Sequence, residues 1–362
     1  MPKRLLILVT DLEVGGVPLL IKSIALGLDT KLFDVHVACL SPQGPVSDEL
    51  TEAGIATYAF NAKGPWDLRV ALRFAKLVAD LRPEVLFTAL VHANFMGRLV
   101  GRFMGVRHIF ASIHTTEKKK LWHLRLENLF CRLSEKTVCI SKSVLTQVRE
   151  VCRVPGSKLE LIPNGIDADL FINVDTAPLN IAGSRSDKTT LIFVGRLDAV
   201  KGVDVLIRAV SMVNDRQDNL QLLIVGDGPR REELQALTHK LMVSEKITFL
   251  GTRRDIAPLL RYADIKVMPS YWEGLGIAAI EAMASGIPVI ASNVEGLNEV
   301  VRHEVTGILV PPGNPEKLAE AIASIAANPL LCEQWGQNGR KIAIQEYSFR
   351  KMIKSYTDLY NA

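Results

Sequence analysis

The five cysteines of this 362-residue chain form no C-x-x-C pair; Cys39, Cys131, Cys139, Cys152 and Cys332 are odd in number and scattered. That argues against a disulfide frame and a zinc site, and suits a reducing cytoplasm. No apolar run reaches the roughly 20 residues of a membrane span. The opening MPKRLLILVTDLE is broken by Asp11 and Glu13, so it reads as a first buried strand rather than a signal peptide. Neither glycine-bearing loop, DLEVGGVP (11–18) or GDGP (226–229), has the third glycine of a dinucleotide fingerprint, which disfavours a nicotinamide enzyme. Internal repeats and low-complexity tracts are missing too.

What is present is a soluble, globular composition, 48% hydrophobic and 23% charged, in a chain long enough for two domains. Short apolar runs at 5–9, 35–40, 85–89, 108–112 and 136–140 read as buried strands. They alternate with helical patterns at 17–28, 67–81 and 95–104. A second series has strands at 190–194, 221–225, 246–249, 265–268 and 288–291, with helices at 203–214, 230–242, 256–262 and 277–285. The expected fold is therefore α/β, with two doubly wound, Rossmann-like parallel sheets. The expected domains are 1–172 and 189–346, joined by a small-residue, polar linker at 173–188. The amphipathic ending, 347–362, is expected to return to the first domain. Ligands of such folds bind beyond the carboxyl ends of the strands, and a cleft there is expected to hold the site.

The most informative stretch is YWEGLGIAAIEAMASGIPVIAS (271–292). Glu273 and Glu281 bracket the turn Gly274-Leu275-Gly276, which opens a helix. Free amides at a helix N-terminus suit phosphate or hydroxyls, and glycine admits a ligand close to the backbone. Amides for phosphate and carboxylates for hydroxyls together describe a sugar phosphate. In LIFVGRLDAVKG (191–202), Arg196 and Lys201 follow a strand end, where fixed cations stabilise charge on a departing diphosphate. Gly226 in the GDGP turn and Arg253 in the loop FLGTRRDI (249–256) are further donor-side candidates. In the first half, Gly15 and Gly16 form a plausible anion or acceptor loop. His114 follows a strand end at the expected cleft, as does His92 with less to commend it.

These motifs together resemble the retaining glycosyltransferases of family GT4, which have the GT-B fold. The resemblance is carried by VGRLDAVKG (194–202), LIVGDGP (223–229), 269–292, LIPNGID (161–167), and GLNEVV (296–301) before TGILVPPGN (306–314). It spans nearly the whole chain. It implies that Arg196 and Lys201 hold the donor diphosphate and that Glu281 binds the nucleotide ribose. Glu273 and the backbone of Gly274–Gly276 would meet the donor sugar, with Gly15, Gly16 and His114 near it. Departures are Thr115-Thr116 after His114, Asn298 where proline is common, and Pro18 two residues past the double glycine. The implied reaction moves a sugar from a UDP- or GDP-sugar to a hydroxyl with retention. No cofactor or metal is expected, nor does Glu273 act as nucleophile.

The same residues leave two rivals: a nucleotide-sugar epimerase of GT-B-like fold, and a non-catalytic nucleotide-sugar-binding subunit. The acceptor is expected to be a saccharide or a lipid-linked sugar in envelope polysaccharide synthesis; no nucleic-acid partner is expected. Residues 1–173 hold 22 Lys+Arg against 17 Asp+Glu, and the remainder 21 against 22. With Lys118, Lys119 and Lys120 before Trp122, Leu126, Leu129 and Phe130, this suggests a cytoplasmic enzyme docking on an anionic membrane surface.

Overall fold

The computed structural model describes residues 1–13, 15–64, 67–114, 127–173, 188–213 and 219–361. They form two compact units: Met1–Asn164 with Met352–Ala362, and Gly165–Lys351. The division falls earlier in the chain than the sequence boundary at 172, and residues 174–187 of the expected linker lie outside the described residues.

In the first unit a seven-stranded parallel sheet runs β3-β2-β1-β4-β5-β6-β7. Its strands are β1 (Lys3–Val9), β2 (Phe33–Cys39), β3 (Ala56–Ala59), β4 (Val85–Ala89), β5 (His108–Ile113), β6 (Lys136–Cys139) and β7 (Leu159–Leu161). Leu5 to Val9 are all 0% exposed, so β1 is covered on both faces, as a central parallel strand requires. The helices α1 (Gly16–Gly27), α2 (Pro45–Glu52), α3 (Leu68–Leu81) and α4 (Val91–Phe103) make the crossovers. α3 shows how the sequence specifies one: the Asp67 carboxylate accepts the Arg69 amide hydrogen, and Val70, Phe74 and Val78 recur every four residues. Those three pack against Leu6, Leu8, Leu86 and Ile109. Each buried side chain of this size contributes about 1.5–3 kcal/mol.

The second unit holds a six-stranded parallel sheet, β10-β9-β8-β11-β12-β13. These strands are β8 (Thr189–Val194), β9 (Leu220–Val225), β10 (Ile247–Gly251), β11 (Ile265–Met268), β12 (Val289–Ser292) and β13 (Gly307–Val310). Both sheets have the Rossmann order, in which successive strands step to one side of the first and then restart on its other side. Strands β3, β7 and β13 are absent from the sequence reading. They are only three or four residues long and sit near or at sheet edges, too short to show a period.

The C-terminal helix Phe349–Asn361 buries Met352, Tyr356, Leu359 and Tyr360. Tyr356 meets Phe87 edge-on at 5.5 Å, and Tyr360 lies 6.0 Å from Phe33 and 5.8 Å from Phe110. Such offset aromatic contacts add about 0.5–1.5 kcal/mol per pair beyond burial. They tie the end of the chain into the first unit.

Candidate active site

In the second unit the strand order reverses between β8 and β11, and the loops leaving these two strands are the ones bearing the predicted cations and carboxylates. The loop after β8 carries Arg196 and a tight turn, Ala199–Lys201, before the helix Val203–Met212. The loop after β11 carries Ser270, Glu273 and the glycine turn, before the helix Ile277–Ser285. The Tyr271 amide donates to the Val200 carbonyl at 2.8 Å, so the loops are stitched together through the backbone.

The side chains then converge. Lys201 Nζ donates to Glu273 Oε1 at 2.7 Å, and Ser270 Oγ donates to the same oxygen at 2.9 Å. An ammonium has three hydrogens, so this contact leaves two for a ligand. Arg196 is not part of the cluster; its side chain is 71% exposed, with Asp198 at 3.8 Å, and is free to turn onto an anion. Gly276 caps the helix Ile277–Ser285 at φ 69°, and a Cβ there would come within 2.6 Å of the Leu297 side chain. Only glycine fits that left-handed position. Leu275 is buried and anchors the turn.

Glu281 lies on that helix, partly buried. Burial raises its carboxyl to about 7, against the pull of the Lys266 ammonium. Lys266 is absent from the sequence reading. It is 0% exposed in the middle of β11, with Nζ 5.5 Å from the centre of the Phe193 ring and 3.5 Å from the Val194 carbonyl oxygen. Burial drops its amine to about 7; Glu281 and Glu273 favour the charge and Lys201 opposes it. The four groups therefore form one electrostatic cluster. The signal was legible: a lysine between Ile265 and Val267 in a strand of otherwise fully apolar residues.

Two donor-side candidates do local work. A Cβ on Gly226, at φ 129°, would sit 2.0 Å from the Gly195 carbonyl oxygen, so the glycine lets the loop after β9 press against the loop after β8. Arg253 Nε donates to Asp255 Oδ1 at 2.7 Å. The chain's Asp-x-Asp sequence, Asp167–Asp169, is also engaged locally, Asp167 Oδ1 accepting the Asp169 amide hydrogen at 3.2 Å.

The first unit places its candidates at strand ends as well. Gly15 precedes α1 with an extended backbone, and a Cβ on Gly16 would meet nothing within 4 Å. Nothing in the fold demands glycine at 16, which suits close approach by a ligand. His114, buried just past β5, is 2.7 Å from Ser112 Oγ through Nε2. Ser112 Oγ donates its own hydrogen to the Thr88 carbonyl at 3.0 Å, so the imidazole proton belongs on Nε2. Nδ1 is then a buried lone pair without a partner among the described residues. Burial lowers the imidazole to about 4, so His114 is neutral at physiological pH. Elsewhere in the first unit a cavity of about 180 Å³ is lined by Thr10, Leu40, Val70, His92 and Met96. Thr10 Oγ1 is buried there without a partner among the described residues. Val14, Thr115, Thr116, Lys118, Lys119, Lys120, Trp122 and Leu126 lie outside the described residues.

A parallel-sheet unit with cations and carboxylates on adjoining strand-end loops at its strand-order reversal is the arrangement of nucleotide-handling α/β proteins. Comparison with known proteins names the class. Residues 14–170 match Glycosyltransferase Family 4 and residues 179–342 match Glycosyl transferases group 1. An uncharacterized glycosyltransferase of Methanocaldococcus jannaschii is 30% identical, over 96% of this chain and 94% of its own. The UDP-Gal:α-D-GlcNAc-diphosphoundecaprenol α-1,3-galactosyltransferase of Escherichia coli is 25% identical, over 92% of this chain and 90% of its own. Among solved structures, Anabaena HepE in complex with UDP superposes with a TM-score of 0.88 at 21% identity, covering 99% of both chains. The chain belongs to the GT4-type group 1 glycosyltransferases, and its fold is GT-B.

Proposed function

We propose that this enzyme transfers a sugar from a UDP-sugar to a hydroxyl of a lipid-linked or free saccharide with retention of anomeric configuration, in the synthesis of a cell-envelope polysaccharide. The observation that carries this reading is the Lys201–Glu273–Ser270 cluster beside the N-terminus of the helix bearing Glu281. Arg196 and Lys201 meet the charge of the donor diphosphate, so no bound metal is required for that task. Glu281 accepts hydrogens from the ribose diol. Glu273 and the turn amides meet the donor sugar, and the Nδ1 of His114, without a partner among the described residues, accepts a hydrogen bond from a sugar hydroxyl.

In the reaction the bond from the anomeric carbon to the diphosphate oxygen breaks and the acceptor oxygen bonds to that carbon on the same face. The acceptor proton passes to the departing diphosphate. The transition state is oxocarbenium-like, without a glycosyl-enzyme. UDP is favoured as carrier because the galactosyltransferase relative is named for a UDP-sugar and the HepE structure holds UDP. That relative's name also describes a lipid-linked acceptor. The 180 Å³ cavity of the first unit, with its Thr10 hydroxyl unpaired among the described residues, fits an acceptor group. The enzyme works at the cytoplasmic face of a membrane. An epimerase would need an acid and a base, and His114, neutral and buried, does not supply the acid.

Thermal-shift measurement against UDP-, GDP- and ADP-sugars tests the donor assignment. A UDP-sugar at a hundred times its Kd stabilises the folded state by about 2.7 kcal/mol. No rise in Tm with any of them, together with no nucleoside diphosphate released, would remove the reading.

Glu281 gives a pH signature. Its carboxyl is raised to about 7, so it gains a proton, and loses its grip on the diol, as pH falls through that value. The donor KM should rise below pH 7. Glu281→Gln should raise KM by about 10- to 100-fold, the equivalent of a charged hydrogen bond, and flatten that rise. An unaltered pH profile in the variant would return Glu281 to a structural role.

A further inference from the structure

Four large apolar side chains stand out of the first unit on two helices that pack side by side, α3 and α4. Leu68 and Leu72 are 79% and 73% exposed, and Leu99 and Phe103 are 50% and 89% exposed. Each pair is spaced by four residues, about one turn, so each forms a ridge along one helix face. The core does not account for them. Val70, Phe74 and Val78 already bury the inner face of α3, while Leu77, Leu81, Val100 and Met104 fill the flanks. Scattered exposed leucines are ordinary, but paired ridges on neighbouring helices mark an interaction surface.

The exposed charges of the two helices are mostly positive, with Asp80 near the end of α3 as the exception. Arg69, Arg73, Lys76 and Arg102 are exposed on the same two helices. None of the four has a carboxylate partner among the described residues; Arg73 turns its Nε to the Arg69 carbonyl instead, at 3.3 Å. Four cations against the one carboxylate of Asp80, with which none of them forms an ion pair among the described residues, leave a net positive face for an anionic partner.

We propose that the α3–α4 face docks on an anionic lipid surface, with Leu68, Leu72, Leu99 and Phe103 entering the boundary between headgroups and acyl chains. The four cations lie against lipid phosphates. Apolar ridges and cations without a carboxylate partner, side by side on neighbouring surface helices, are what an interfacial surface needs. It places the first unit at the surface where a lipid-linked acceptor would be met, and it uses residues separate from the donor cluster. It deepens the membrane reading above.

The test is sedimentation of the full chain with phosphatidylglycerol-containing vesicles and with pure phosphatidylcholine vesicles. Binding is expected only to the anionic vesicles, and high salt should release it. Replacing Arg69, Arg73 and Lys76 together with serine should weaken binding by about a hundredfold. Leu68→Ser, Leu72→Ser and Phe103→Ser combined should do so at any salt. Both variants should keep the Tm of the parent and its response to a UDP-sugar, which separates failure of this proposal from failure of the transferase reading. No vesicle binding at low salt, or binding indifferent to both variants, overturns it. So does a dimer of the free protein that only the leucine variant dissociates, because the face would then belong to a second copy of the chain.

Discussion

Replacing Lys201 with alanine should lower turnover by about two to three orders of magnitude and leave the fold intact. The size of the effect follows from what Lys201 touches. Its ammonium is held at 2.7 Å by Glu273, itself steadied by Ser270, so the charge is in place before a ligand arrives. A cation fixed in advance stabilises a departing diphosphate without reorganising at the moment of reaction. Its removal also leaves Glu273, only 12% exposed, without its counter-charge, so an anionic donor would meet a bare carboxylate. Arg196 is 71% exposed and must be recruited by the ligand, so Arg196→Ala should fall mainly on the chemical step once donor is saturating. The check is single-turnover transfer with saturating donor, alongside circular dichroism for the fold. Parent-like turnover in folded Lys201→Ala would end the assignment of this lysine to the diphosphate.

Lys266→Met should make the protein more stable and a worse donor binder. A lysine at 0% exposure, its amine lowered from 10.5 to about 7, burdens the folded state with a charge stripped of water. Methionine fills similar space without that burden, which is worth about 2–4 kcal/mol. The sign fixes the pH window. Below pH 7 the amine is charged in both folded and unfolded states and the burden is complete. As pH rises toward 10.5 the unfolded amine also loses its proton and the burden fades. The gain in Tm should therefore be largest at and below neutrality and shrink in alkali. The functional cost comes through Glu281, whose carboxyl Lys266 helps to keep ionised. Without that charge its titration moves above 7, and the donor KM at pH 7 should rise by about tenfold per unit moved. A fall in Tm, with donor KM and its pH profile unchanged, would show Lys266 to be packing alone.

The alternation of short apolar runs with amphipathic stretches was enough to reveal two Rossmann-like sheets, because the central parts of β1, β4, β8 and β11 are buried on both faces and are therefore mostly apolar. The helix Ile277–Ser285 was legible to the residue, bounded by Gly276 and Gly286, both left-handed. Edge strands such as β3 were not, since four half-covered residues carry no period. Lys266 escaped for the opposite reason: it breaks the pattern of its strand, and a pattern reading smooths over a single exception.

The residue types of the site, two cations after one strand and two carboxylates around a glycine turn after another, belong to the sequence, as does membership of the family. Local spacing alone places Arg196 and Lys201 beyond β8 and Glu273 and Glu281 beyond β11. Which of them meet was decided only in three dimensions. The strand order sets β8 beside β11 although 70 residues separate them, and that adjacency gives Lys201 to Glu273 and leaves Arg196 in solvent. The tautomer of His114 likewise waits on Thr88 of a neighbouring strand, and the apolar ridges of α3 and α4 are seen to be exposed only once the sheet has claimed their other faces. Local spacing is written in the chain, but a charge acquires its partner and its burial from segments far away in sequence.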